Sequence, residues 1–188
     1  MEKLPPPQGY ADKIRWFRLE RGVISLDMEI TSGLADELVG ELEYAEALEH
    51  KTITIEITSP GGDVYEAMAM YDAIQQCRTR GVKVIGKVVG FAASCASMIV
   101  LQACERRQAT ASARLHLHEI SRIVRGAEKK SETEDDLQET KNLHKWGLAL
   151  LAKRTGKTVE MLDKKISRHE VWFSADEAKE FGLIDEVI

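Results

Sequence analysis

Three short segments carry the groups that acyl-transfer chemistry uses. The first is Gly90-Phe91-Ala92-Ala93-Ser94-Cys95-Ala96-Ser97. A serine set where a helix begins has its hydroxyl beside backbone N–H groups without intrahelical partners, at the positive end of the helix dipole. Such donors can hold the oxyanion that forms when a serine attacks a carbonyl. The second is Ser59-Pro60-Gly61-Gly62, placed after a strand. Two successive glycines let bare N–H groups approach a ligand closely. The third is Arg114-Leu115-His116-Leu117-His118-Glu119. Strand alternation puts His116 and His118 on the face opposite Leu115 and Leu117, where one can act as a general base and the other as a rim residue. Each segment also has a plainer reading: a tight turn, small residues that permit close helix packing, and structural histidines at a strand end. Their common placement favours chemistry, because each falls at the C-terminal end of a strand, where ligand sites lie in α/β sheets.

Other chemistries fit less well. The three cysteines, Cys77, Cys95 and Cys104, form no CxxC pair and are odd in number, so neither a disulfide framework nor a zinc knuckle is expected. The five histidines include no HExxH arrangement. The spacing of His116 and His118 leaves a metal pair open, but no carboxylate or cysteine ligand set surrounds them in sequence. The expectation is therefore no metal and no organic cofactor. Over 188 residues, 44% apolar and 30% charged content indicates a soluble, folded chain of one domain. Lys and Arg number 26 against 31 Asp and Glu, a net charge of −5, and no basic block is present. That composition argues against binding nucleic acid through phosphate neutralisation. No run approaches the ~18–20 apolar residues of a membrane span. The first seven residues, Met1-Glu2-Lys3-Leu4-Pro5-Pro6-Pro7, lack the apolar core of a signal peptide, so a cytoplasmic protein is expected.

The elements that must position these segments follow from periodicity. Residues 1–13, with Pro5-Pro6-Pro7, are expected to form a flexible arm. Val23-Ile24-Ser25-Leu26 reads as a strand, and Thr31-Ser32 can cap a helix whose apolar face is Leu34, Leu38, Leu42, Ala45 and Leu48. The β-branched run from Thr52 to Thr58 predicts a strand, and Val64, Ala67, Met68, Tyr71 and Ile74 predict the next helix. Val82 to Val89 reads as a strand ended by Gly90, Ala92 to Ala103 as a helix, and Arg114 to Glu119 as a further strand. Alternating strands and helices imply an α/β fold with a mainly parallel sheet and right-handed crossovers. After Gly126, a long helix is expected to Arg154, with Leu137, Leu143, Trp146, Leu150 and Leu151 on one stripe and Gly156 as its stop. Its first half, Glu128 to Thr140, is dense in charge and is expected to project into solvent.

In order and spacing, Ser-Pro-Gly-Gly, Gly-x-Ala-Ala-Ser and Ala-Arg-x-x-x-His resemble the proteolytic subunit of the Clp protease and its phage-borne relatives. The segment from Trp172 to Asp185 resembles that family's closing motif, and the likeness covers residues 14–188. The resemblance implies a ClpP-like, crotonase-type repeated ββα superhelix with a protruding handle helix at residues 127–155. It also implies a serine endopeptidase that cleaves unfolded polypeptides or peptides inside a ring chamber. Ser94 matches the nucleophile and His118 the general base. The N–H groups of Gly62 and Cys95 match the oxyanion hole. His116 stands where the family is usually apolar. Counting back from Ser174-Ala175, Glu170 takes the place of the usual aspartate, with Asp163 and Asp176 as alternatives nearby. Ser-His-Glu triads exist on other folds.

The chain departs from the family at Ala96 and Ser97 and along Ile120-Ser121-Arg122-Ile123-Val124-Arg125-Gly126, where Pro and a Gly pair are usual. By resemblance, this stretch lines the substrate groove and leads into the handle. A homo-oligomer is implied, two stacked heptameric rings (a tetradecamer) or a single ring given the altered linker. An AAA+ ATPase unfoldase is the candidate partner. Two rivals remain at this stage: a crotonase-type acyl-CoA enzyme, and a ring-forming scaffold without catalysis.

Overall fold

The computed structural model describes residues 8–121 and 130–188. The Pro5-Pro6-Pro7 arm, residues 122–126 of the altered linker and residues 127–129 of the expected handle lie outside them.

The chain order is α1 (Tyr10–Leu19), β1 (Val23–Leu26), α2 (Ser32–Ala47), β2 (Thr52–Ser59), α3 (Val64–Thr79) and β3 (Lys83–Ala92). A π-helical turn (Ala96–Val100) then runs into α4 (Leu101–Ala103), followed by β4 (Arg106–Ala109) and β5 (Arg114–Leu117). The remainder is α5 (Lys130–Thr155), α6 (Val159–Ile166), β6 (Val171–Ser174), α7 (Ala175–Phe181) and β7 (Glu186–Val187). The strands form one sheet in the order β1-β2-β3-β4-β7, all parallel. β5 continues beside the C-terminal end of β3 in parallel, and β6 pairs with β5 antiparallel. The mainly parallel α/β architecture expected from the sequence is therefore present.

Local chemistry explains the frame. In β2, the β-branched Ile53, Ile55 and Ile57 are fully buried while the residues between them face outward. Thr31 caps α2, its side chain accepting from the Leu34 N–H. Asp63 caps α3, accepting from the N–H groups of Tyr65 and Glu66 at 2.8 and 3.1 Å. Each cap supplies an oxygen to backbone donors that the helix itself cannot satisfy. The core lies between the sheet and the helices, with Leu38, Ile55, Met70, Ile74 and Ile99 among its fully enclosed side chains.

Several boundaries differ from the sequence reading. Within the expected arm, residues 10–13 are already helical, because α1 starts at Tyr10 with Gly9 as its N-cap and Asp12 in its first turn. β3 does not stop at Gly90. Glycine at φ +81° lets the strand bend and continue, so that Phe91 and Ala92 pair with Arg114 and Leu115. Ala92 to Ala103 is not a single helix, since Ala92 ends the strand and helical geometry starts only after the turn around Ser94. β5 ends at Leu117, leaving His118 just beyond it. In α5, Leu137 is 53% exposed, whereas Leu148, Leu150 and Leu151 carry the buried stripe. Gly156 ends this helix at φ +70°. No described helix is long and apolar enough to cross a membrane.

Candidate active site

The glycine turn and the serine turn are locked together at the ends of β2 and β3. Ser59 Oγ donates to the Met28 carbonyl at 2.6 Å, and the Ala93 N–H donates to the Ser59 carbonyl at 2.9 Å. Gly61 and Gly62 have φ of +91° and +150°, a region L side chains rarely adopt. A Cβ on Gly61 would stand 2.7 Å from Ser94 Cβ and 3.1 Å from Cys95 N, and one on Gly62 would strike the Ile30 backbone. Only glycine lets this turn press against the serine turn, and the contact brings the backbones of the two candidate oxyanion donors into one cleft.

Ser94 itself sits at φ +53°, one of three described non-glycine residues with positive φ. A serine held in this strained conformation at a strand-to-helix turn presents its hydroxyl outward, the geometry of a nucleophile elbow. The helix that follows begins on its carbonyl, which accepts from Met98 N–H at 2.8 Å. His118, just past β5, places Nε2 2.7 Å from Ser94 Oγ, the contact a general base needs.

Glu170 precedes β6, and the β5–β6 ladder brings it beside the histidines. Its Oε1 is 4.0 Å from His118 Nδ1, while Oε2 is 2.6 Å from His116 Nε2. The rings of His116 and His118 stack at 5.3 Å and 19°, so they share one face as the alternation predicts. His116 is buried, and that burial holds its imidazole below the ordinary value. Glu170 opposes the shift and nearby His118 adds to it. The other candidate carboxylates lie elsewhere. Asp163 accepts from Ser167 Oγ at 2.6 Å and meets His144 at 3.2 Å, and Asp176 is exposed in the first turn of α7. Among the described residues, neither contacts His118.

A cleft of about 450 Å³ opens over Ser94 and His118, walled by Val64, Met98, Ile99 and Ile120, with Glu29 at its edge. An adjoining cavity of about 650 Å³ continues between α3 and the stretch of α5 from Asp136 to Leu143. The Cys95 thiol is buried, donates to the Gly62 carbonyl at 3.4 Å and is pushed up to about 11 by that burial. Ser97 is fully enclosed and its hydroxyl has no hydrogen-bond partner among the described residues. The sequence reading missed the 2.6 Å approach of Glu170 to His116 and the stacking of His116 on Trp172 at 4.5 Å. The available signal was a histidine two residues before the candidate base, on the same strand face.

A serine on a strained turn with a histidine within hydrogen-bond reach, at the strand ends of an α/β sheet, is an arrangement suited to acyl transfer. The chain matches the Clp protease family over residues 9–188. It is 32% identical to ATP-dependent Clp protease proteolytic subunit 1 of Protochlamydia amoebophila, across 97% of this chain and 87% of that protein. It is 31% identical to ATP-dependent Clp protease proteolytic subunit 2 of Thermobifida fusca, across 90% and 82%. With proteolytic subunit 2 of Frankia casuarinae it shares 33% identity across 90% and 76%. The chain belongs to the Clp protease family and is a serine peptidase.

Proposed function

We propose that Ser94, His118 and Glu170 form a Ser-His-acid triad that hydrolyses peptide bonds of unfolded polypeptides or peptides. His118 Nε2 takes the proton from Ser94 Oγ as that oxygen attacks the scissile carbonyl. The N–H groups of Gly62 and Cys95 hold the resulting oxyanion. Protonated His118 then passes its proton to the leaving amine, and water hydrolyses the acyl-enzyme by the same route. Glu170 favours the imidazolium and fixes the ring. The observation that carries this reading is the 2.7 Å Ser94–His118 contact at the floor of the apolar cleft.

Assembly belongs to the same proposal. The subunits form a homo-oligomeric ring, single or doubled into a tetradecamer, which encloses the sites and receives unfolded chains from an AAA+ ATPase. The relatives' names, which pair a proteolytic subunit with ATP dependence, support that partnership. The exposed face of α1 formed by Tyr10, Ile14 and Phe17 supports burial against another subunit. So does the largely exposed stretch of α5 from Glu134 to Asn142, which fits a handle between rings. The unpaired cysteines suit the cytoplasm.

Turnover of an unfolded polypeptide by the purified protein, with Ser94→Ala as control, tests the chemistry. Equal turnover by the variant refutes it. Light scattering at low micromolar concentration tests the assembly, and a stable monomer refutes that part alone.

A further inference from the structure

We infer that His116 is a positioning residue of this site: its Nε2–H grips one oxygen of Glu170 and thereby holds the other oxygen toward His118. The inference rests on the triad reading above. Glu170 is a long side chain, 70% exposed, and nothing in its own segment fixes it. His116 is the reverse. It is 7% exposed and lies between two rings, Trp172 at 4.5 Å and His118 at 5.3 Å. The β5–β6 register sets His116 directly opposite Trp172, which packs against its ring. A buried donor thus faces an exposed carboxylate.

The polar bookkeeping points the same way. Buried His116 Nε2 has no hydrogen-bond partner, and its polar neighbour is Glu170 Oε2 at 2.6 Å, close enough for alignment by a small side-chain rotation. Leaving a buried N–H unpaired is costly, so His116 favours the carboxylate rotamer that serves it. In the present rotamer Oε1 already lies on the His118 side, 4.0 Å from Nδ1. The ionisable groups that bear on His116 are Glu170 from the segment before β6 and His118 from beyond its own strand. Burial keeps the His116 ring neutral near pH 7, so it grips Glu170 through a neutral N–H. The negative charge stays available for the imidazolium that forms on His118. The long Glu170 side chain has rotational freedom, and the second ring restricts it.

The test is peptidase kinetics of the assembled protein carrying His116→Phe, His116→Gln or His116→Asn, each with and without Glu170→Ala. Phenylalanine keeps the stacking and loses the N–H. Glutamine returns an N–H near the Nε2 position, whereas asparagine is too short. We expect His116→Phe and His116→Asn to lower kcat by about 10–100-fold, the scale for outer partners that orient a site's ligands, with KM little changed. His116→Gln recovers most of that loss. In the Glu170→Ala background, all three changes add less than about 2-fold, because partners acting through one group are not additive. Wild-type kcat in both His116→Phe and His116→Asn overturns the inference, as does a loss of equal size in the Glu170→Ala background. If His116→Phe does not fold, the glutamine–asparagine contrast decides, and equal kcat in those two variants overturns it. Activity in Ser94→Ala would sink the triad itself. A large loss in Glu170→Ala beside silent His116 variants would sink this inference alone.

Discussion

Two carboxylates meet nitrogen partners on the sheet, Asp185 at Arg107 of β4 and Glu170 beside Ser94, and the two sites are built oppositely. In the first, Arg107 of β4 is 5% exposed and every arm of its guanidinium is engaged. Nη2 and Nε reach Asp185 at 2.5 and 3.2 Å, while Nη1 donates to Gln102 Oε1 and the Gly182 carbonyl at 2.8 and 2.9 Å. The backbones return the favour, Arg107 N–H donating to Asp185 Oδ2 and Asp185 N–H to the Arg107 carbonyl. In the second, Glu170 is mostly exposed, stands 4.0 Å from His118 and meets a buried nitrogen without alignment, next to a serine at positive φ. A saturated pair holds its geometry in one state. An unsaturated one leaves interactions to be completed when charge moves, which is the difference between stabilising a fold and stabilising a transition state.

The largest effect that sharpens this contrast is at Ser94. Ser94→Ala is expected to lower peptidase turnover by about 10⁴–10⁶-fold while leaving thermal stability within experimental scatter, since one small hydroxyl is removed from a strained position. Peptide hydrolysis and a melting curve on the same preparation check it. Glu170→Gln comes next. Replacing the carboxylate by an amide is expected to cost about 10²–10⁴-fold in kcat, with Glu170→Asp milder. If Glu170→Gln is fully active and Asp163→Asn or Asp176→Asn is not, Glu170 is not the acid that serves His118.

Asp185 tests the other arm. Burial would push its carboxyl up, but the hydrogen bonds and charge of Arg107 outweigh that and hold it below 3.8. A depressed carboxylate contributes stability that is fully present above its unfolded value and is lost as pH falls through the folded one. The pair should therefore be intact at neutral pH and weaken only as pH falls through and below the ordinary carboxylate range. Asp185→Ala leaves an enclosed guanidinium without its counter-charge and is expected to cost about 3 kcal/mol. For a chain of this size that lowers Tm by about 6–12 °C. At a temperature where the variant is folded, kcat should fall by less than about 3-fold, in contrast to Glu170→Gln. A large kcat loss at unchanged Tm would erase the division between the two pairs.

The two regions also differed in how legible they were. Ser94, His118 and the Gly61-Gly62 turn lie in local motifs at strand ends, and β2 announces itself by Ile53, Ile55 and Ile57. Arg107 sits in Arg106-Arg107-Gln108-Ala109, which has no apolar alternation and becomes a strand only because β3 and β7 pair with it. The grip of His116 on Glu170 depends on the antiparallel register of β5 and β6, segments far apart in the chain. The π-helical turn after Ser94 was hidden because its small and apolar residues suit an α-helix equally well. Periodicity reports which face is buried, whereas register between distant strands is set by packing.

The smallest effect concerns the thiol next to the nucleophile. Ser94 and Cys95 are adjacent, and a thiol is intrinsically the stronger nucleophile once ionised. Here burial pushes Cys95 up to about 11, and Cys77 and Cys104 up to about 12, so near neutral pH the thiolate fraction is on the order of 10⁻³ or less. Cys95 is only 3% exposed and points its Sγ at the Gly62 carbonyl, away from the hydroxyl that His118 meets. What we assign to Cys95 is its backbone N–H, which alkylation chemistry does not address. Iodoacetamide at pH 7.5 is therefore expected to remove less than about a tenth of the peptidase activity in an hour, while a fluorophosphonate removes nearly all of it by labelling Ser94. Peptide mapping after each reagent, alongside residual activity, reads both outcomes. Rapid alkylation of Cys95 with matching loss of turnover would move the nucleophile one residue along the chain and place the unsaturated pair in the service of a thiol.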